Sequence, residues 1–321
     1  MGRRFHPAGL AELWVVWLLF GLTAVAVFET YWRIPPRDLW KVTSTGFGGG
    51  AGRAFVFISF SAALAAVAVL AIASDRLEDR RADLVALVSL VLCATVAYPG
   101  VQTESHLDPK WSNTFAVVGV MFALALTAWA TRSGRPERVR TTLAGDRARL
   151  VVGGISFFFA TPYIAAELGF FLDAVPVLGW IFQTGTITPE PGSGDLHNAV
   201  HHGHHHGMDG FLLTVTALLL SRQLGGFSRP LQRTLTAAYL SLMLVYGLTN
   251  QAEDLWIEQI VKRGWTSWQI PNVLHPTASL AWAAMLAVAA LFYFAFFESR
   301  RKALARGVAR HHHHPNQRRR P

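Results

Sequence analysis

Eight apolar runs, most of them near the length that crosses a bilayer, constrain this chain more than any other feature. They fall at roughly 10–31, 54–74, 84–99, 114–131, 150–172, 208–221, 234–250 and 277–297. About 20 apolar residues in a helix span the hydrocarbon core. A helix also satisfies its own backbone where no water is present. The third and sixth runs are short. Charged residues make up 15% of the chain, against about 25% in soluble domains, which argues against a soluble enzyme or a disordered chain. The single cysteine, Cys93, sits in an apolar run and excludes an intrachain disulfide. The expected fold class is all-α, a polytopic membrane helix bundle of about eight transmembrane helices with both termini cytoplasmic. Residues 1–299 form the integral membrane domain, and 300–321 form a basic, His- and Arg-rich cytoplasmic tail. The basic residues 1–9 lead into a run too long for a signal peptide, with no small-residue cleavage site, so the first run reads as a retained helix.

The net charge of +9 is a topology signal. Positive residues concentrate on cytoplasmic loops. With the N-terminus inside, the inner segments hold 22 of the 29 Lys and Arg, in groups around Arg3, Arg76, Arg132 to Arg149, Arg222 to Arg233, and the tail. The remaining seven are Arg33, Arg37, Lys41, Arg53, Lys110, Lys262 and Arg263. Losing or gaining one span would spoil this alternation. The acids run the other way, with 12 of 20 in the outer half. Seven tryptophans, Trp32, Trp40, Trp111, Trp180, Trp256, Trp265 and Trp268, also fall on outer segments, where an interfacial belt belongs. The expected location is the plasma membrane, with the bilayer as the first partner. The inner Arg runs are read as headgroup anchors, and no nucleic-acid partner is expected.

Two outer segments read as loops. Residues 43–53 contain Gly46, Gly48, Gly49 and Gly50 and suit a flexible loop. They lack the Lys-Ser/Thr of a phosphate loop. Residues 173–194 are rich in Pro and Gly. The tail His311–His314 is given no mechanistic role.

The densest chemical signal is Asp195-Leu-His-Asn-Ala-Val-His-His-Gly-His-His-His-Gly-Met-Asp209. Six of its residues are His: His197, His201, His202, His204, His205 and His206. With Ser193 or Asp195 as a cap and no proline through 195–221, one continuous helix entering the membrane near Gly207 is expected. On a helix His197 and His201 share a face with His204 and Met208, while His202 and His206 share another with Asp209. An i, i+4 His pair can supply two metal ligands, but one helix cannot close a coordination shell.

Candidate partners lie on the same side. Glu167 stands at the outer end of the fifth run, and an ionisable group there is a functional candidate by default. His106 lies in a short outer loop, and His275 precedes Pro276 at the start of the last run. Glu253 and Asp254 follow the seventh run and read as solvated loop acids. Mixed His and carboxylate donors suit a transition metal such as Zn, Fe or Cu. The metal-ligand set is therefore His197, His201, His202, His204, His205, His206, Glu167, His106 and His275. Glu167 and Asp209 are the candidates for a catalytic base acting on metal-bound water.

The spacing His197-x3-His201, followed by His201-x2-His204-His205, is similar to the His boxes of membrane fatty-acid desaturases and hydroxylases. That resemblance implies iron. It covers one compact cluster, without a second His-x-x-His-His box, and here the cluster is expected outside. The functional expectation is an extracytoplasmic His-rich metal site, in a metal-dependent enzyme at the outer leaflet. The alternatives are metal uptake, delivery or sensing, or a non-catalytic subunit of a membrane complex. A second copy of the chain or another membrane subunit is left open as partner.

Overall fold

The structure is a computed structural model that describes residues 9–33, 43–98, 108–135, 142–168, 170, 174–182, 186–189, 194, 196–200 and 205–298. Among the described residues ten α-helices carry the fold: α1 (Ala11–Arg33), α2 (Gly46–Phe57), α3 (Ala63–Leu77), α4 (Arg80–Ala94), α5 (Asn113–Ser133), α6 (Asp146–Glu167), α7 (Leu178–Phe182), α8 (His205–Leu220), α9 (Pro230–Trp256) and α10 (Leu280–Phe292). Among the described residues the only β structure is an antiparallel pair, β1 (Ile187–Pro189) and β2 (Leu196–Asn198). The protein is thus essentially all-helical, as its periodic apolar runs require.

Among the described residues five helical stretches are long and apolar enough to cross a membrane: Ala11–Arg33, Gly46–Leu77, Asn113–Ser133, Asp146–Ala166 and Leu280–Phe297. Three further helices lie beside them. The helices α4 and α8 are short, at 15 and 16 residues. The 27-residue α9 is long enough but carries acids toward its C-terminal end. The centre of the bundle is Gly46–Leu77, in which α2 and α3 are joined through a π turn at Ile58–Ala62. Its alanines Ala63, Ala65, Ala66, Ala68 and Ala73 are fully enclosed by neighbours. Small side chains let adjacent helices approach closely where hydrophobicity alone gives no preference for protein over lipid. Large apolar residues such as Leu87, Val91, Phe158 and Leu286 point outward, as a lipid-facing surface requires.

The Gly-rich segment corrects the expectation of a flexible loop. After Thr43–Thr45, the chain is helical from Gly46 onward. The glycines serve packing, because a Cβ on Gly50 would collide with the Phe28 carbonyl of α1. A second correction concerns 173–194, which includes α7 and β1.

One end of the bundle gathers charges from segments far apart in sequence. Arg222 pairs with Glu12 at 2.8 Å and Asp146 at 2.5 Å. Those bonds hold its guanidinium above its ordinary pKa. Buried Asp75 accepts hydrogen bonds from the Ser228 amide and hydroxyl, both at 3.0 Å, and from the Arg229 amide at 3.1 Å. Arg229 pairs with Asp83, and Arg135 with Glu78. Every one of these residues belongs to a segment assigned to the Arg-rich side. The opposite end carries an aromatic cluster. Arg263 stacks over Trp180 at 3.9 Å and lies 5.5 Å from Trp265, while the Trp256 indole donates to the Trp268 carbonyl.

Candidate functional site

The helices α8 and α9 form the most extensive helix pair. Two glycines set their separation: a Cβ on Gly210 would lie 2.5 Å from the Gly247 carbonyl oxygen, and one on Gly247 would lie 2.6 Å from that of Gly210. This close contact fixes the register of what lies above it. One turn outward, the Gly207 amide donates to Asp254 Oδ2 at 2.7 Å. The Tyr163 ring of α6 closes the same point from the other side, since a Cβ on Gly207 would lie 2.5 Å from Tyr163 Cδ2.

A buried polar floor surrounds this contact. Asp209, Glu253, Asp254 and Glu258 are each at most 4% exposed. Lys262 pairs with Glu258 at 2.7 Å, with both side chains 1% exposed, and also donates to the Ala199 carbonyl at 3.2 Å. Gln251 and Ser156 bond reciprocally between α9 and α6: Ser156 Oγ donates to Gln251 Oε1 at 2.7 Å, and Gln251 Nε2 donates to the Ser156 carbonyl at 2.6 Å. Carboxylates at such depth are costly unless paired, hydrogen-bonded or bound to a cation.

These acids correct the expectation for Glu253 and Asp254. They do not open a solvated loop. The helix α9 runs through Trp256 and continues as a π turn over Ile257–Val261, which carries them inside. Sequence reasoning passed over Asn250, Asp254, Glu258 and Lys262 as a set. Their spacing of four was the available signal, because it places them on one helical face.

The His segment also departs from expectation. It is not a continuous helix from 195. His197 lies in β2, where its backbone pairs with Thr188, and α8 begins only at His205. The i, i+4 relation of His197 to His201 on one helix is therefore lost. The cause is tertiary: Thr186 accepts the Ala199 amide at 2.9 Å, drawing this stretch into a hairpin-like pair, and Gly203 and Gly207 weaken helix propensity. His201, His202 and His204 lie outside the described residues, as does His106. His205 and His206 occupy the first turn of α8, and Glu167 is the last residue of α6. His275 is half-buried in the loop before α10, beside the cavity considered below.

What the fold brings together is clear from one small apolar cluster. Val200 packs with Tyr163 and Ala166 of α6 and against Met208 of α8. The end of α6 that bears Glu167, the chain leading into His201, the start of α8 and the acid floor of α9 thus meet at one place. Among the described residues no three His, Cys, Asp or Glu side chains converge on a point that could hold a metal ion. Comparison of the chain with protein-family models, curated proteins and solved structures finds no match.

Proposed function

We propose that this chain is an eight-span plasma-membrane protein with its Arg-rich end and both termini in the cytoplasm, and with a transition-metal site on the outer side. The donors are drawn from His197, His201, His202, His204, His205 and His206, with Glu167, and with His106 and His275 as outlying members. Asp209, buried in α8, and Glu167 are the candidate bases. Zn, Fe and Cu all suit such a nitrogen and oxygen set. Held there, a metal would supply a polarised water or a redox centre, and the protein would supply a buried, carboxylate-lined wall. The reading is of a metal-dependent enzyme at the outer leaflet.

The observation that carries this reading is the meeting of Tyr163, Ala166, Val200 and Met208. It brings the end of α6 that bears Glu167 together with the chain leading into His201 and the start of α8, and the Tyr163 and Gly207 contacts tie that place to buried Asp254. The donor set would be completed by His residues, because the described carboxylates do not themselves converge. The charge network at the Arg-rich end supports placing these segments on one side, since Arg222 gathers Glu12 and Asp146 and Asp75 gathers Ser228, Arg229 and Arg135.

The test is metal content by mass spectrometry on the detergent-purified chain with residues 311–314 removed. Glu167→Ala, His201→Ala and Asp209→Asn are run beside it. A stoichiometric metal that falls in His201→Ala and Glu167→Ala is the expected result. Metal that declines gradually with His number and ignores Glu167 would identify an adventitious tract and overturn the reading, as would the absence of metal with no tight rebinding.

A further inference from the structure

A cavity of about 90 Å³ lies between α3, α8, α9 and α10, one to two turns deeper than the acid floor. Leu64, Leu213, Met243, Tyr246, His275 and Trp282 are among its walls, and it is partly open. Nearly all of its lining is apolar. Water needs two to four polar partners to occupy such a space, and engineered apolar cavities of about 150 Å³ stay dry and take up benzene instead. An unfilled void forfeits dispersion contacts along its whole lining. In a bilayer the material at hand to fill it is alkyl chain.

The polar groups of the wall narrow the occupant further. Both lining tyrosines are engaged: Tyr239 donates to the Leu64 carbonyl at 2.7 Å, and Tyr246 to the Leu274 carbonyl at 2.9 Å. The Trp282 indole N–H is buried and has no hydrogen-bond partner among the described residues. A buried donor of this kind calls for an acceptor. An acyl carbonyl supplies one, whereas a plain hydrocarbon does not.

The cavity also adjoins the site above it. Leu213 follows Asp209 by one helical turn, and Tyr246 precedes Asn250 by one. We infer that the cavity holds one acyl chain of a membrane lipid, with its carbonyl on the Trp282 indole N–H and its polar end toward Asp209. The lipid-binding part stands alone, while its role as substrate of the outer site rests on the metal-site reading.

The experiment uses the full chain in phosphatidylcholine vesicles that include phosphatidylcholine with a terminal diazirine on one acyl chain. Photo-adducts are mapped by peptide mass spectrometry, and metal content is read on the same preparations. Adducts near Leu64 and Met243 are expected. They should fall several-fold in Met243→Trp, which fills the cavity, and in Trp282→Phe, which keeps a ring and removes the donor. Leu87→Trp, on the exposed face of α4, should leave them unchanged. Adducts confined to exposed positions such as Leu87, Val91 and Leu286, or cavity adducts indifferent to both cavity variants, would overturn the inference. Cavity adducts without metal would sink the metal reading and keep the lipid site. Metal without cavity adducts would do the reverse.

Discussion

The Gly207 amide donates to the Asp254 carboxylate at 2.7 Å, and Gly207 has no room for a side chain between that carboxylate and the Tyr163 ring. This contact locks the start of α8 to α9 and α6 at once. In Gly207→Ala the new methyl would meet Asp254 Oδ2 and Tyr163 Cδ2, each at 2.5 Å. Overpacking of this kind costs about 1–3 kcal/mol. Thermal unfolding in detergent should show a lowered Tm. Gly154→Ala, at a helical glycine with open space around it, should show no loss, because alanine has the better helix propensity. Equal behaviour of the two variants would mean that Asp254 and the Tyr163 ring yield to a methyl at Gly207 without cost.

The same contact separates a structural role for Asp254 from an electrostatic one. Asp254→Asn keeps an acceptor for the Gly207 amide, whereas Asp254→Ala leaves that buried donor unsatisfied. An unsatisfied buried donor costs about 1–3 kcal/mol. Asp254→Ala should therefore unfold at a lower temperature than Asp254→Asn. If the floor serves a metal above it, both variants should also bind that metal more weakly, because both remove one negative charge. Identical stabilities would place the Gly207 hydrogen bond outside the forces that hold α8.

Much of this architecture was legible in the apolar runs, because bilayer thickness sets a length that α1, α5, α6 and the stretch Leu280–Phe297 must meet. What was not legible had non-local causes. The run Gly46–Gly50 looks like a loop by propensity, yet α1 comes so close that only glycine fits at Gly50. The acids after residue 250 end an apolar run and so imitate a loop. Their spacing of four places them on one face, but which wall that face meets is decided by α6 and α8. The His segment was chemically conspicuous, while its break into β2 and α8 depends on pairing with Thr186 and Thr188, which no helical periodicity reveals. Glu167 and Asp209 were readable as isolated carboxylates. That they stand near one cluster follows only from Val200 packing against Tyr163.

Lys262 and Glu258 form an ion pair with both side chains 1% exposed. Removing one partner of a buried pair leaves an uncompensated charge and typically costs about 3–5 kcal/mol. Lys262→Met should be severely destabilised, with the additional loss of the bond to the Ala199 carbonyl. The double variant Glu258→Gln with Lys262→Met should recover much of that loss. A double-mutant cycle by thermal unfolding checks it, and simple additivity of the two single variants would rule out the coupling.

The orientation of the bundle can be tested across α9 alone. Its 27 residues reach about 40 Å at 1.5 Å per residue, more than the roughly 30 Å hydrocarbon core. It is more polar than the five apolar stretches, but its acids gather at one end, while Ser228 and Arg229 bind the Asp75 hub at the other. Residues just before and just after it should therefore face opposite compartments. Gly225 and Gln269 are both exposed there, and Cys93 is 1% exposed, so the native thiol should stay silent. In intact cells, a membrane-impermeant maleimide should label Gln269→Cys at once and Gly225→Cys only after permeabilisation. The opposite order would turn the His segment toward the cytoplasm and remove the outer-leaflet site. Labelling of both before permeabilisation would mean that α9 does not cross, and the alternation of basic loops would then need another explanation.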